Sequence, residues 1–300
     1  MARWRLLRHT QHMLALRFAG YQPARSVHTR ALHALRDGVA RRANGAFAMT
    51  VTDSIVATGR KAADLLTKVA SGELDGCYFA SSYLAARVPA LGVFDQPFQA
   101  GSREQVLAAL DGDVGAALAE QVAAATEFRV LGWWDNGIRH ISNAVRPIRT
   151  PADCVGLRLR TLDNAQHQAT FRRLGFRPMF IDVADLPRAV AERTVDAQEN
   201  PLTNLVNFNL QTYHKHVSLT GHLLGIAPLL VNRARYDALP DELGRMLDAA
   251  ARESETIQRR LAVAEDDACL RLLAEAGVTI IGSDAIDLEG FRAAVVTPNA

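Results

Sequence analysis

Apolar residues at helical spacing in Val27–Ala43 (Val27, Ala31, Leu35, Val39) sit between two strand-like segments, Met13–Ala19 and Phe47–Thr52. The helical stretch stops at Asn44-Gly45, so the pattern predicts a strand, helix, strand unit of the kind that builds parallel sheets. The theme recurs: Gly59–Val69 predicts a helix, Leu74–Ala80 a strand, alanine-rich Arg103–Glu127 a helix and Phe128–Trp133 a strand, with Pro89–Phe98 as an apolar-anchored loop. Trp134-Asp135-Asn136-Gly137 carries a turn signal and leads into alternating Ile138–Asn143, which reads as the crossing into a second lobe.

That second lobe repeats the alternation. Leu157–Arg160 predicts a strand, Asn164–Leu174 a helix, Arg177–Ile181 a short strand, Ala184–Glu192 a helix and Thr194–Gln198 a further strand. Leu202–Leu210 reads as a turn and short helix, and His216–Thr220 and Ile226–Asn232 as two strands. Pro240 then opens a helix from Asp241 to about Ala276; roughly 35 residues at about 1.5 Å each span about 50 Å, enough to brace both lobes. Gly277–Ile281 and Leu288–Val295 close the chain with a strand and a helix. The fold class is α/β, and 300 residues suit two lobes better than one core. With no low-complexity linker, the lobes are expected to be joined by several crossings: 13–136 with about 226–265 as one, 137–225 with about 266–300 as the other, and 1–12 as an N-terminal arm.

Composition narrows the function classes. The chain is 49% hydrophobic and 22% charged with a net charge of +2, and its arginines are interleaved with acids, so no nucleic-acid footprint is present. No run of eighteen apolar residues exists to span a membrane. Met1–His12 lacks the apolar core of a secretion signal, so an exported protein would be a processed form or would start upstream. Cys77, Cys154 and Cys269 lie far apart without metal or redox spacing and read as small buried hydrophobes.

The candidate chemistry centres on Leu157-Arg158-Leu159-Arg160. On a strand both arginines share a face, and one of them should leave the core to meet an anion; the competing reading is a solvated face or a pair with Asp163. An arginine fork matches a carboxylate bidentately, which points to a carboxylate site. Ligands of open α/β sheets collect beyond the carboxyl ends of strands, which places Tyr21, Gln22, Ser81 and Ser82 at one crevice and adds Arg139 as a second arginine. His214, His216 and His222 lack a carboxylate at ligand spacing, so no metal site is expected. The pairs Asp182/Asp185 and Asp196/Glu199 have no nucleophile or positioned histidine and read as helix caps or partners of Arg188 and Arg193. Gly112–Gly115 does not follow a strand, which excludes a phosphate loop.

Four segments, Ser71–Phe98, Gly132–Thr161, Val195–Pro201 and Ser218–His222, closely resemble the DctP-like substrate-binding proteins of tripartite ATP-independent periplasmic (TRAP) transporters, and the resemblance runs from about Met13 to the end. It implies a periplasmic receptor without catalytic activity or cofactor. Two α/β lobes, joined by hinge strands and a long helix, close on an organic acid. Its implied partners are the acid and the small and large membrane subunits of a sodium-driven transporter, the receptor itself being peripheral. It further implies that Arg160, ending the strand after the Gly-Leu segment, clamps the carboxylate, aided by Arg139 and by Asn200 of the Gln-Glu-Asn-Pro segment. Trp134 and Asn136 are implied to reach the cleft. Where the family carries an aromatic and a tyrosine, this chain has Val183 and Pro187, with Phe180 nearby, so neither a sialic acid nor a C4-dicarboxylate specificity carries over. The alternative is a cytoplasmic α/β enzyme or sensor acting on an organic acid.

Overall fold

The computed structural model describes residues 14–45, 47–99 and 101–296, so the 1–12 arm lies outside the described residues. It begins with β1 (Leu14–Ala19), α1 (Val27–Ala43) and β2 (Phe47–Thr52). Ser26 caps α1 by accepting from Thr29 N, a contact worth about 1 kcal/mol, and Asn44 ends it in the left-handed conformation at φ 43°. β1 and β2 pair in parallel from Leu14↔Phe47 to Ala19↔Thr52. After α2 (Asp64–Ala70) and β3 (Gly76–Tyr78) the chain makes two helices, α3 (Arg103–Asp111) and α4 (Asp113–Ala125), where sequence periodicity predicts one. The break is local. Gly112 is extended, and at Gly115 a Cβ would lie 1.9 Å from the Leu110 carbonyl oxygen, so the second helix can fold back only over a bare α-carbon.

A larger correction concerns the predicted turn at 134–137. β4 runs unbroken from Phe128 to Asn143. Asp135 Oδ1 accepts Gly137 N at 2.7 Å, and Gly137 has φ +89°, so the turn-forming residues make a bulge inside a strand. What keeps the strand continuous is a buried amide far along the chain. Gln258 accepts from Asp135 N at 2.8 Å and donates to Asp135 O at 2.6 Å.

β5 (Arg158–Thr161), α5 (Ala165–Arg173), β6 (Arg177–Phe180), α6 (Leu186–Ala191), β7 (Ala197–Pro201) and α7 (Leu202–Asn207) follow. The two strands predicted at 216–220 and 226–232 are one, β8 (His216–Asn232), antiparallel to β4 along its length with register shifts at Val130/Gly132, Asp135/Gly137 and Arg139/Ile141. α8 (Arg233–Asp237), the 35-residue α9 (Asp241–Glu275), β9 (Thr279–Ile281) and α10 (Leu288–Val295) complete the chain.

Among the described residues the sheet order is β2-β1-β3-β8-β4-β7-β5-β6, with β9 beside β8. β3 pairs with Leu229–Val231 of β8, whereas β7 pairs with Arg139–Asn143 of β4, so the two long strands belong to both lobes and form the crossings between them. α9 lies along this junction. Its Glu255 and Arg259 bond the backbone of Trp133, and Ala250 packs on Gly38 of α1 closely enough that a Cβ there would be 3.1 Å away. A large core containing Phe18, Leu35, Leu230 and Leu247 at one end continues to Val183, Leu186 and Leu202 at the other, where a smaller one containing Leu159, Phe171, Phe176 and Phe291 fills the remaining space. The three cysteines are buried and free, as their spacing implies.

Close packing at β3 generates a stability test. A Cβ at Gly76 would meet the Phe18 ring at 2.3 Å and the Leu230 carbonyl oxygen at 2.6 Å. Gly76→Ala is expected to lower the urea unfolding free energy by about 1–3 kcal/mol or more, whereas Gly92→Ala, whose nearest neighbour would be 3.6 Å away, should stay within about 0.5 kcal/mol.

Candidate functional site

The carboxyl ends of β1 and β3 face the ends of β5 and β7 across the β4 crossing, and the cavity between them is lined by Tyr21, Phe79, Ala80, Tyr83, Asn136, Arg139, Arg160, Leu162, Val183, Asn200 and Asn204. The space free of protein atoms in the cavity and its mouth is about 330 Å³, so narrow that a water-sized sphere has about 20 Å³ to move in. A molecule larger than water therefore reaches the interior only if the walls part.

Arg160 is fully buried. Its Nε donates to the Ile181 carbonyl at 2.8 Å, while Nη1 and Nη2 have no hydrogen-bond partner among the described residues. Arg139, equally buried, is in the opposite position. Its Nε and Nη2 bind both oxygens of Glu199, at 2.6 and 2.8 Å, and Nη2 also reaches the Glu199 carbonyl at 2.9 Å. Burial alone would raise the Glu199 pKa, but the Arg139 charge and the hydrogen-bonding groups around it hold it well below the usual carboxylate range. Thr161 Oγ1 donates to Glu199 at 2.9 Å, and His222 Nε2 lies at 3.4 Å.

A second buried carboxylate sits next to this one. Asp95 accepts from Ser82 Oγ at 2.5 Å and Asn164 Nδ2 at 2.9 Å, and contacts His167 Nε2 at 2.8 Å. His167 Nδ1 is 3.8 Å from Glu199, too long for a hydrogen bond but within charge-pair range. Burial alone would lower the His167 pKa, but its hydrogen bond to Asp95 and the two carboxylate charges hold it above the ordinary value. Because Ser82 and Asp95 follow β3 while Asn164 and His167 follow β5, this cluster spans the lobes.

The neutral lining is an amide row and an aromatic wall. Gln22 Nε2 donates to Asn204 Oδ1 at 3.0 Å, Asn204 Nδ2 to Asn200 Oδ1 at 3.1 Å, and Asn200 Nδ2 to Gln198 Oε1 at 2.5 Å. Tyr21, Phe79 and Tyr83 pack in sequence with centroids 5.3 and 4.8 Å apart, the first pair tilted at 60° and the second edge to face at 72°. Burial pushes the Tyr21 hydroxyl up to about 12, so it stays a neutral donor or acceptor near neutral pH. Asn136 Oδ1 is buried without a partner among the described residues.

Of the residues singled out in the sequence, Tyr21, Asn136, Arg139, Arg160, Val183 and Asn200 meet at this cavity. Arg158 does not: its fork closes on Asp196 at 2.7 and 3.0 Å, the charge pairing that the competing reading supposed, though with another acid than Asp163. Trp134 is fully buried behind the cavity, its ring 5.6 Å from that of Tyr78, because the strand continues where a turn was expected. Phe180 is 43% exposed and lines an outer groove with Asp182, Asp185 and Arg188. Gln22 stands behind Asn204, and Ser81 and Ser82 line a smaller adjoining space with Asp95 and His167. Sequence reasoning missed Phe79, Ala80, Tyr83, Leu162 and Asn204. The carboxyl-end rule could have found Phe79 and Ala80, which directly follow β3, and likewise Asn204, in the first turn of the helix that follows β7. His214 contacts Ser142 Oγ at 3.0 Å and His222 contacts Thr220 Oγ1 at 2.8 Å, and no metal-binding group of three or more His, Cys, Asp or Glu gathers among the described residues. No helix there is long and apolar enough to cross a membrane.

Comparison with known proteins agrees with this architecture. A "Solute-binding protein" of Verminephrobacter eiseniae is 33% identical over 71% of this chain and 63% of its own length. The "2,3-diketo-L-gulonate-binding periplasmic protein" of Escherichia coli is 30% identical over 72% of this chain and 66% of its own. The matched region thus spans just under two thirds of these relatives. A TRAP periplasmic solute-binding protein from Polaromonas sp. JS666, bound to D-erythronate, superposes with a TM-score of 0.88 at 27% identity, covering 94% of this chain and 92% of that one. The family described as bacterial extracellular solute-binding protein, family 7, matches residues 18–297, and the chain belongs to it.

Proposed function

We propose that this protein is an extracytoplasmic receptor that captures a small hydroxylated monocarboxylic acid between its lobes and presents it to the membrane subunits of a TRAP transporter. The observation that carries this reading is the Arg160 guanidinium, fully buried with both terminal nitrogens unpartnered among the described residues. A buried cation without a counter-ion is costly, and a carboxylate is the group whose two oxygens fit such a fork. Arg139 cannot serve equally, since Glu199 occupies two of its nitrogens; its part is to hold Glu199 and, at 3.4 Å, to orient Asn200.

The rest of the lining favours a ligand with hydroxyl groups on a short carbon chain. Asn136 Oδ1 offers an acceptor, Tyr21 and Asn200 offer polar atoms, and the rings of Tyr21, Phe79 and Tyr83 cover carbon. Val183, at the position where the resemblance implies an aromatic, leaves that wall aliphatic. The D-erythronate in the Polaromonas protein and the 2,3-diketo-L-gulonate named for the Escherichia coli relative are acids of this kind and support the assignment. Binding would draw the open and closed populations toward the closed form, with 13–136 plus about 226–265 moving against 137–225 plus about 266–300.

Thermal-shift and calorimetric titration against D-erythronate and other small monocarboxylates test the proposal. Wild-type protein should be stabilised by one acid class. Arg160→Ala should raise its Kd by roughly 30- to 4,000-fold, about 2–5 kcal/mol, with the unliganded fold retained. Arg160→Lys should also weaken binding, because an ammonium lacks the fork. Normal binding by Arg160→Ala would remove this residue from the role.

A pH dependence follows from His167. Its folded-state pKa is raised, so the stability it lends is full below about 6.5 and is lost as pH rises through the folded value. The urea midpoint of the wild type should fall across that window, and His167→Gln should flatten the profile.

A further inference from the structure

Three consecutive residues after β6 make three different connections. The Ile181 carbonyl accepts from Arg160 Nε at 2.8 Å. The Val183 side chain is buried and lines the cavity. Between them, Asp182 Oδ1 accepts from Ala62 N at 3.2 Å and from Ala184 N at 2.8 Å, with Oδ2 3.5 Å from Ala63 N. Ala62 and Ala63 directly precede α2, at the β2-β1-β3 end of the sheet, whereas Asp182 follows β6 at the other end.

Asp182 is 6% exposed, and its hydrogen-bond partners among the described residues are all backbone amides. A carboxylate taken from water for amide partners is held by charge-assisted bonds, and it is strongly oriented by them. Two of its three amide neighbours belong to the opposite lobe. Parting the cleft would strip the contacts to Ala62 and Ala63 and leave the bond to Ala184, which starts the turn into α6. The contact therefore bridges the two ends of the sheet at the outer groove that Ala63 and Asp182 line, one residue from the carbonyl that holds Arg160.

We infer that Asp182 is a positioning residue for closure: an acid engaged by Arg160 fixes the 181–183 segment, and the Asp182 carboxylate then latches that segment to the backbone before α2. This rests on the receptor reading above and adds to it a residue that does not touch the ligand's charged group. The latch acts on the closed population, so it governs how long an acid stays and not how fast it arrives. Val183 makes the same segment sense the body of the ligand, so an acid that leaves Val183 uncovered engages Arg160 without the full latch.

The test compares full-length wild type, Asp182→Ala and Asp182→Asn by calorimetry, stopped-flow kinetics and small-angle scattering, with and without D-erythronate and a panel of small hydroxy acids. Wild type should contract on binding. Asp182→Ala should raise Kd roughly ten- to a hundredfold, almost wholly through a faster off-rate, and should contract less at a subsaturating acid concentration. Asp182→Asn keeps an acceptor oxygen and should recover part of the affinity. The unliganded urea midpoint of Asp182→Asn should stay near that of the wild type, which a merely structural role would not give. An Asp182→Ala protein that binds and contracts like wild type overturns the latch alone. So does an affinity loss in Asp182→Asn that is matched by loss of unliganded stability. A wild type that neither binds nor contracts with any acid of the panel overturns the receptor reading and the latch together.

Discussion

A guanidinium taken out of water keeps its charge and loses its hydration, and in Arg160 only one of three nitrogens is compensated among the described residues. Such a group is stable in a fold only because the surroundings are over-determined. Leu159 and Phe171 are packed in the core of the same lobe, and parallel pairing of β5 with β6 and β7 fixes the strand on both edges. The second arginine shows the contrast. Arg139 is almost as deeply buried but has its own carboxylate, so it consolidates the structure, while the two terminal nitrogens of Arg160 have no protein partner among the described residues.

The electrostatics on either side of Arg160 follow from that division. Glu199 is neutralised by Arg139, and Asp95 is held by a hydroxyl, an amide and His167, so neither carboxylate is left to compete for the free guanidinium nitrogens. Pairing within the protein thus leaves the Arg160 charge without a carboxylate of its own among the described residues. The same cluster ties the lobes together, which makes His167 part of the closed arrangement and not of the ligand's immediate lining.

Much of this could be read from the chain without coordinates. α1, β2 and α10 lie where local periodicity puts them, and α9 ends within a residue of its predicted end, because helical spacing, caps and turn residues act over a few positions. What could not be read depends on distant partners. Asp135-Asn136-Gly137 has turn chemistry, yet Gln258 from α9 satisfies the Asp135 backbone and turns the signal into a bulge. Arg158 and Arg160 are the same residue two positions apart, and only the placement of Asp196 decides which one is spoken for. Of the pocket's aromatic wall, Tyr21 is legible from its place after β1, whereas Tyr83, five residues beyond β3, is not distinguished from a core residue until the strand ends are assembled.

β4 and β8 pair with each other along nearly their whole length, and each also serves both ends of the sheet. Neither lobe is consequently a segment of chain: cutting the sequence anywhere between them severs a strand that the remaining half needs. Such a molecule cannot lend one lobe to another protein by simple fusion or recover it by limited digestion. Changes in ligand preference in this architecture must come from substitutions along the cleft walls, since the modules themselves are not exchangeable.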